Sequence, residues 1–278
     1  MPNAPLSNPT VAFIGGGNMA RSLIGGLVAR GRSADAIRVA EPVAALREAL
    51  KHDFGVTCAE HATVAAEGAD VWVLAVKPQV MREVCASLVP LAQDKRPLVV
   101  SIAAGITTAQ LDGWLGGSMP VVRAMPNTPA LLGAGITGLF ANARTSGAQR
   151  DDAGALLDAV GPTVWIDDEA KMDAVTAVSG SGPAYVFLLA EAMQAAGIAQ
   201  GLSPDAARAL VQQTLLGAAT MLVQQNEAAD VLRTRVTSPG GTTQAAIETF
   251  EAGGFRELVD RAIRAATQRG RELSAAND

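Results

Sequence analysis

The apolar residues of this chain keep two rhythms in turn. Up to about Asp167, short continuous apolar runs alternate with stretches where apolar residues recur at helical spacing, and past Asp168 only the helical spacing persists. Continuous runs belong to strands buried on both faces, and their alternation with helices marks a parallel sheet covered on both sides. Val11-Ala12-Phe13-Ile14 is the first run, followed by Ile37-Arg38-Val39-Ala40 and by residues 71–76, 98–102 and 121–125. Runs at 138–141 and 163–166 flank an Ala- and Leu-rich helix and finish the sheet, with one antiparallel edge. After the first strand, Met19, Leu23, Ile24, Leu27 and Val28 share a helical face, and Gly31 is the stop. Gly25 and Gly26 inside that helix cost about 1 kcal/mol each relative to Ala, offset by close packing on the sheet.

The second half predicts helices alone. One opens at Gly182-Pro183 and carries Tyr185, Val186, Leu188, Leu189, Ala192 and Met193, so it is apolar nearly all round. Such a helix is buried on several sides, and a small all-helical domain has few ways to do that by itself. A second subunit is expected to cover it. Ser203-Pro204-Asp205 announces another helix by a capping residue and Pro at the first helical position. The last begins near Phe255, with Leu258, Val259, Ala262, Ile263 and Ala266 on one face. The division follows: residues 1–167 form a mostly parallel, doubly wound α/β domain, and 168–278 an all-α domain for dimerisation and substrate binding.

Two glycine turns carry the candidate chemistry. Gly15-x-Gly17-x-x-Ala20 follows a predicted strand and opens a predicted helix, the context in which this spacing binds a dinucleotide. Gly15 permits the tight turn, Gly17 lets the backbone approach a pyrophosphate, and Ala20 lets helix and strand lie close. Asn18 and Met19 begin the helix whose free N–H groups face the phosphates. Glu41 ends the second strand roughly twenty residues on, where a carboxylate accepts from the adenosine ribose and repels a 2′-phosphate. Arg38 and Arg47 lie close by and weaken that inference, and a solvated turn residue is the alternative reading of Glu41. Ala75-Val76-Lys77-Pro78 leaves the strand at 71–76 by the sheet edge where ligands bind, with Lys77 either a phosphate or ribose contact or a solvated lysine. The rigid loop Arg123-Ala124-Met125-Pro126-Asn127-Thr128-Pro129 is placed as the floor of a nicotinamide site. The second turn, Ser238-Pro239-Gly240-Gly241-Thr242-Thr243, precedes a helix and offers N–H groups and hydroxyls to a small anion such as a carboxylate, or simply caps that helix. Ser179-Gly180-Ser181-Gly182-Pro183 invites the same two readings at another helix start.

Composition narrows the partners. The 278 residues are 49% hydrophobic with a net charge of −5, enough for a large core and unsuited to a nucleic-acid surface. The first nine residues lack the features of a signal peptide and read as a short floppy leader. No apolar run reaches the ~20 residues of a membrane span, so a cytoplasmic protein is expected. Cys58 and Cys85 fit neither a disulfide framework nor a ligand pair, and His52 and His61 complete no metal site. Ketone reduction by hydride ordinarily uses His, Lys or Tyr as proton donor, and no His lies in a motif here. A C=N substrate, whose nitrogen is protonated before hydride arrives, suits a site of glycines and threonines.

At these residues the chain resembles the pyrroline-5-carboxylate reductase family. The most specific match is Val236-Thr237-Ser238-Pro239-Gly240-Gly241-Thr242-Thr243-Gln244-Ala245-Ala246-Ile247, with supporting matches at 13–20, 75–78, 123–129 and 179–185 in the family's order. The resemblance implies a Rossmann-like N-terminal domain and a helical domain that interlocks two subunits into a homodimer, with a decamer of five dimers in some members. It implies NADPH or NADH as cofactor, 1-pyrroline-5-carboxylate as substrate and L-proline as product. By the same resemblance the substrate carboxylate rests on the backbone of Gly241, Thr242 and Thr243, and the Thr243 hydroxyl faces the ring nitrogen. Family members often prefer NADPH, which Glu41 sets in question. A β-hydroxyacid dehydrogenase shares the glycine turn but needs a catalytic lysine in its helical domain, where Lys171 is the only lysine after Asp168 and lies outside any glycine-rich helix start. A non-catalytic nucleotide sensor is the rival from another class.

Overall fold

A computed structural model describes residues 9–276; the expected leader lies almost wholly outside them. The first part alternates strands and helices: β1 (Val11–Ile14), α1 (Asn18–Ala29), β2 (Ile37–Ala40), α2 (Ala44–Phe54), β3 (Thr57–Ala59), α3 (Ala62–Ala66), β4 (Val71–Leu74), α4 (Pro78–Lys95), β5 (Leu98–Ser101), α5 (Thr108–Trp114), β6 (Val121–Met125), β7 (Thr137–Ala141), α6 (Gly147–Leu157) and β8 (Thr163–Trp165). Helices follow: α7 (Met172–Val175), α8 (Gly182–Ala199), α9 (Pro204–Gln224), α10 (Ala229–Arg235), α11 (Thr242–Ala252) and α12 (Phe255–Ala275). The chain forms two compact units, one of residues 1–181 and 265–278, the other of 182–264.

The first unit holds a single sheet of order β3-β2-β1-β4-β5-β6-β7-β8. Its inner strands β1 and β4 are apolar at every position because successive side chains serve opposite cores. Val11 and Phe13 of β1 join Leu23, Ile24 and Leu27 of α1 on one face, while Ala12 and Ile14 join Trp72, Leu74, Met81 and Leu88 on the other. All six of β1 to β6 run parallel. β7 is antiparallel to β6, and β8 is parallel to β7, so the reversed edge is two strands wide. β3, with three residues and an exposed start, has too little apolar pattern to be read from the sequence.

The glycine pair in α1 packs closely, but not on the sheet as expected. A Cβ on Gly26 would lie 2.6 Å from Ala159 O, and one on Gly25 3.1 Å from the Phe54 ring. Their freedom from side chains therefore admits the turn after α6 and the end of α2. In the second unit Ser203 accepts a hydrogen bond from Ala206 N–H at 3.3 Å and Pro204 takes the first turn, as the sequence predicts. A Cβ on Gly197 would sit 3.3 Å from Leu202, so α8 and α9 meet closely at their connection. Phe187 and Leu188 of α8 are each 66% exposed in the single chain. No helix among the described residues is long and apolar enough to cross a membrane.

Candidate active site

On the side of β1 the chain steps to β2 and β3, and on the other side to β4, β5 and β6. The crevice at the C-terminal ends of β1 and β4 is thus a topological switch point, where open α/β sheets bind ligands. The turn 15–17 leaves β1 there. Gly15 N–H donates to Ala40 O at 2.8 Å, and Ala75 N–H donates to Ile14 O at 2.8 Å, stitching the turn to both neighbouring strands. Gly15 has φ +108°, and a Cβ on it would stand 2.7 Å from Ala75 O. Only glycine fits. Gly17 differs: a Cβ there would meet nothing within 4 Å. It is exposed, it precedes α1, and no side chain caps that helix and no acid sits in its first turn. Open space and free N–H groups at Asn18 and Met19 suit the pyrophosphate of a dinucleotide. Ala20 is buried at the helix–sheet contact.

Glu41 is not a solvated turn residue. It is 7% exposed, its Oε2 accepts from Gly16 N–H at 2.9 Å and its Oε1 from Val43 N–H at 2.9 Å. The carboxylate thereby braces the glycine turn while standing at the end of β2. Arg38 donates to Glu67 O, and Arg47 to the carbonyls of Glu41 and Pro42. Both arginines are occupied by backbone. Ala75 and Val76 line the same C-terminal edge, half-buried, and Pro78 opens α4. Lys77 caps α4 from an exposed position, and its ammonium group has no partner among the described residues.

The loop after β6 reaches this edge too, because β6 is parallel to β5 and β4. Arg123 is 3% exposed and donates to Asp173 at 3.1 Å, with Glu169 at 3.7 Å. Glu169 in turn accepts from the N–H and hydroxyl of Thr108, each at 2.7 Å. Asn127, also buried, accepts from Ile136 N–H at 3.0 Å and donates to Ser179 O at 3.1 Å. Sequence reasoning missed Glu169 and Asp173; their four-residue spacing was the available signal, placing both on one helical face.

The reading of 179–183 as an open helix start is corrected. Residues 176–180 are wound as a π-helix, and Ser181 N–H donates to Thr176 O at 2.8 Å. The chain arrives already helical, so the Ser181 N–H is spent rather than offered to a ligand. Gly180 packs closely on the β6 loop: a Cβ there would lie 2.5 Å from the terminal methyl of Met125.

Ser238, Gly240, Gly241, Thr242 and Thr243 belong to the second unit. Gly241 N–H donates to Ser238 O at 3.0 Å, closing a turn with Pro239 second and Gly240, at φ +70°, third. That is the glycine position of a type II turn. Gly240 N–H donates to Gln244 Oε1 at 2.6 Å. The N–H groups of Gly240 and Gly241 are therefore internal, which removes the Gly241 N–H from the carboxylate cradle expected of it, and those of Thr242 and Thr243 begin α11, which has no side-chain cap and no acid in its first turn.

A family model described as pyrroline-5-carboxylate reductase dimerisation matches residues 169–273, and one described as NADP oxidoreductase, coenzyme F420-dependent, matches residues 10–105. The chain is 54% identical to pyrroline-5-carboxylate reductase of Pseudomonas aeruginosa, over 97% of this chain and 98% of that one. It is 44% identical to that of Vibrio alginolyticus, over 96% and 98%. Among solved structures, the Coxiella burnetii pyrroline-5-carboxylate reductase superposes with a TM-score of 0.93 at 42% identity, covering 96% of this chain and 99% of that one. The Plasmodium falciparum pyrroline carboxylate reductase with NADP bound gives 0.84 at 27% identity, covering 97% and 99%. The chain belongs to the pyrroline-5-carboxylate reductase family.

Proposed function

We propose that two glycine-led helix starts, α1 after Gly17 and α11 after Gly241, both uncapped by a side chain and free of acids in the first turn, divide the work of reducing 1-pyrroline-5-carboxylate to L-proline, α1 taking the cofactor pyrophosphate and α11 the substrate carboxylate. That pair of helix starts is the observation that carries the reading, since each presents backbone donors to an anion without a cationic side chain. NADPH or NADH supplies the hydride that reaches C5 of the imine. Gly17, Asn18 and Met19 face the pyrophosphate while Gly15 makes the turn and Ala20 seats the helix on the sheet, Glu41 faces the adenosine ribose, and Ala75, Val76, Lys77 and Pro78 line the adjoining edge. Thr242 and Thr243 donate their N–H groups to the carboxylate, while Ser238, Gly240 and Gly241 shape the turn that aims them. The Thr243 hydroxyl orients or protonates the imine nitrogen, and preorganised donors of this kind spare the reaction their reorganisation.

Residues 1–167 serve as the cofactor domain and 168–278 as the dimerisation and substrate domain. The exposed apolar surface of α8 supports a homodimer; a decamer of five dimers and a cytoplasmic compartment complete the proposal. Oxidation of NADPH and of NADH, followed in parallel by nicotinamide absorbance with purified protein and 1-pyrroline-5-carboxylate, tests the reaction. Substrate-dependent loss is expected. No loss with either cofactor, in folded protein that still binds them, would overturn it in favour of the sensor. Light scattering across a dilution series reads the assembly, and a monomer at every concentration would remove the dimer.

A further inference from the structure

Two side chains at the end of β6 grip one downstream segment from inside the protein. Arg123 pairs with Asp173, and Asn127 donates to Ser179 O, so the loop 125–129 is pinned against the stretch that includes the π-wound residues 176–180. The Asn127 carboxamide is also held from the other side, because its oxygen accepts from Ile136 N–H at 3.0 Å. The side chain uses donor and acceptor at once, each on a backbone partner from a different segment. Between the two segments, Met125 fills the space that a side chain on Gly180 would take. π-Turns are rare and are found frequently at functional sites, so an anchor that holds one calls for a functional explanation.

We propose that Asn127 is a positioning residue for hydride transfer: it clamps the loop 125–129 to the turn 176–181 and so sets the wall of the cleft at the nicotinamide end. This rests on the reading that the C-terminal edge of the parallel strands holds the cofactor. Arg123 supports the same clamp from the strand. Asn127 does not contribute to pyrophosphate binding, which the turn 15–17 supplies at β1. Its loss therefore changes the rate of the chemical step more than the affinity for cofactor.

The test is Asn127→Asp in the full chain, with Asn127→Ala beside it. The aspartate keeps the acceptor for Ile136 N–H and sets a carboxylate oxygen against Ser179 O, whereas alanine removes both bonds. The expected result for Asn127→Asp is a fall in kcat of at least tenfold, with the Kd for NADPH within threefold of the parent's and cooperative thermal unfolding retained. An unchanged kcat, or a Kd that rises in step with the fall in kcat, would overturn the clamp. Should either variant fail to fold, the other decides. If the parent itself does not reduce 1-pyrroline-5-carboxylate, the reading of function fails separately. The clamp is then judged by the fluorescence of bound NADPH, which Asn127→Asp changes if the loop walls the nicotinamide and leaves alone if it does not.

Discussion

Gly15 and Gly17 stand two residues apart in one turn, and the structure predicts opposite consequences for adding the same methyl group to each. At Gly15 the added Cβ would be 2.7 Å from Ala75 O and 2.8 Å from Ala75 C, at a φ of +108°. Strain of that kind costs about 1–3 kcal/mol, and the contact is backbone on backbone, so no side-chain rotation relieves it. The turn has to move away from β4, which also breaks the alignment of the α1 start. Gly15→Ala should therefore lose about 1–3 kcal/mol of stability and bind NADPH at least tenfold more weakly, about 1.4 kcal/mol. At Gly17 the backbone is extended, with φ −69°, and nothing lies within 4 Å of the added atom. Its stability cost is the exchange of a glycine helix cap for alanine, no more than about 1 kcal/mol. Yet the methyl enters the space in front of the helix N–H groups, so NADPH affinity should fall at least tenfold here too. Urea unfolding of both variants, with fluorescence titration of NADPH on each, separates the two effects. Parent-like NADPH affinity in Gly17→Ala would refute the reading of that open space as the phosphate position, and a Gly15→Ala variant as stable as the parent would refute the steric argument.

Thr243→Ala should lower kcat strongly and leave the Kd for NADPH close to the parent's, as steady-state kinetics with a binding titration will show; parent-like kinetics would remove Thr243 from the reaction. Arg123→Ala leaves Asp173 buried without its cation and should cost about 3–5 kcal/mol of stability by denaturant unfolding, since a broken buried pair strands a charge. Burial pushes the Cys85 thiol from its ordinary 9.0 up to about 12. The unfolded thiol ionises first as pH rises, so this group's contribution is complete below about pH 9 and is lost toward pH 12, which unfolding at graded alkaline pH will read. The Cys58 thiol is also pushed up by burial, though it is only half-buried, so a thiol-reactive disulfide should label it slowly and reach Cys85 only on unfolding.

What could be read from the chain divides by the range of the interactions involved. The strand at 11–14 was legible because burial on both sheet faces leaves no polar position to break the run, and that at 37–40 because its single charged residue, Arg38, is flanked by buried apolar ones. The turns at Gly15 and Gly240 were legible because a positive φ admits few residues besides glycine. An antiparallel edge was expected from the runs at 138–141 and 163–166, but its strand order and register, β7 antiparallel to β6 with β8 parallel to β7, rest on pairing that no local pattern records. The segment 179–183 misled for a definite reason. Gly-Pro after two serines carries the local signature of a helix beginning, but whether the N–H groups are free depends on what precedes, and five residues upstream Thr176 already accepts from Ser181. Glu41 shows the same limit from the other direction. Its position at the end of β2 was clear, but that its carboxylate braces Gly16 and Val43 depends on how the β2 end meets the glycine turn, a tertiary contact that no local spacing encodes. On the proposed reading of the site, the carboxylate that braces the glycine turn also meets the adenosine ribose, two tasks on one group. Replacing Glu41 to change cofactor preference should for that reason disturb the turn as well, and preference alone would be the wrong measure of what it does.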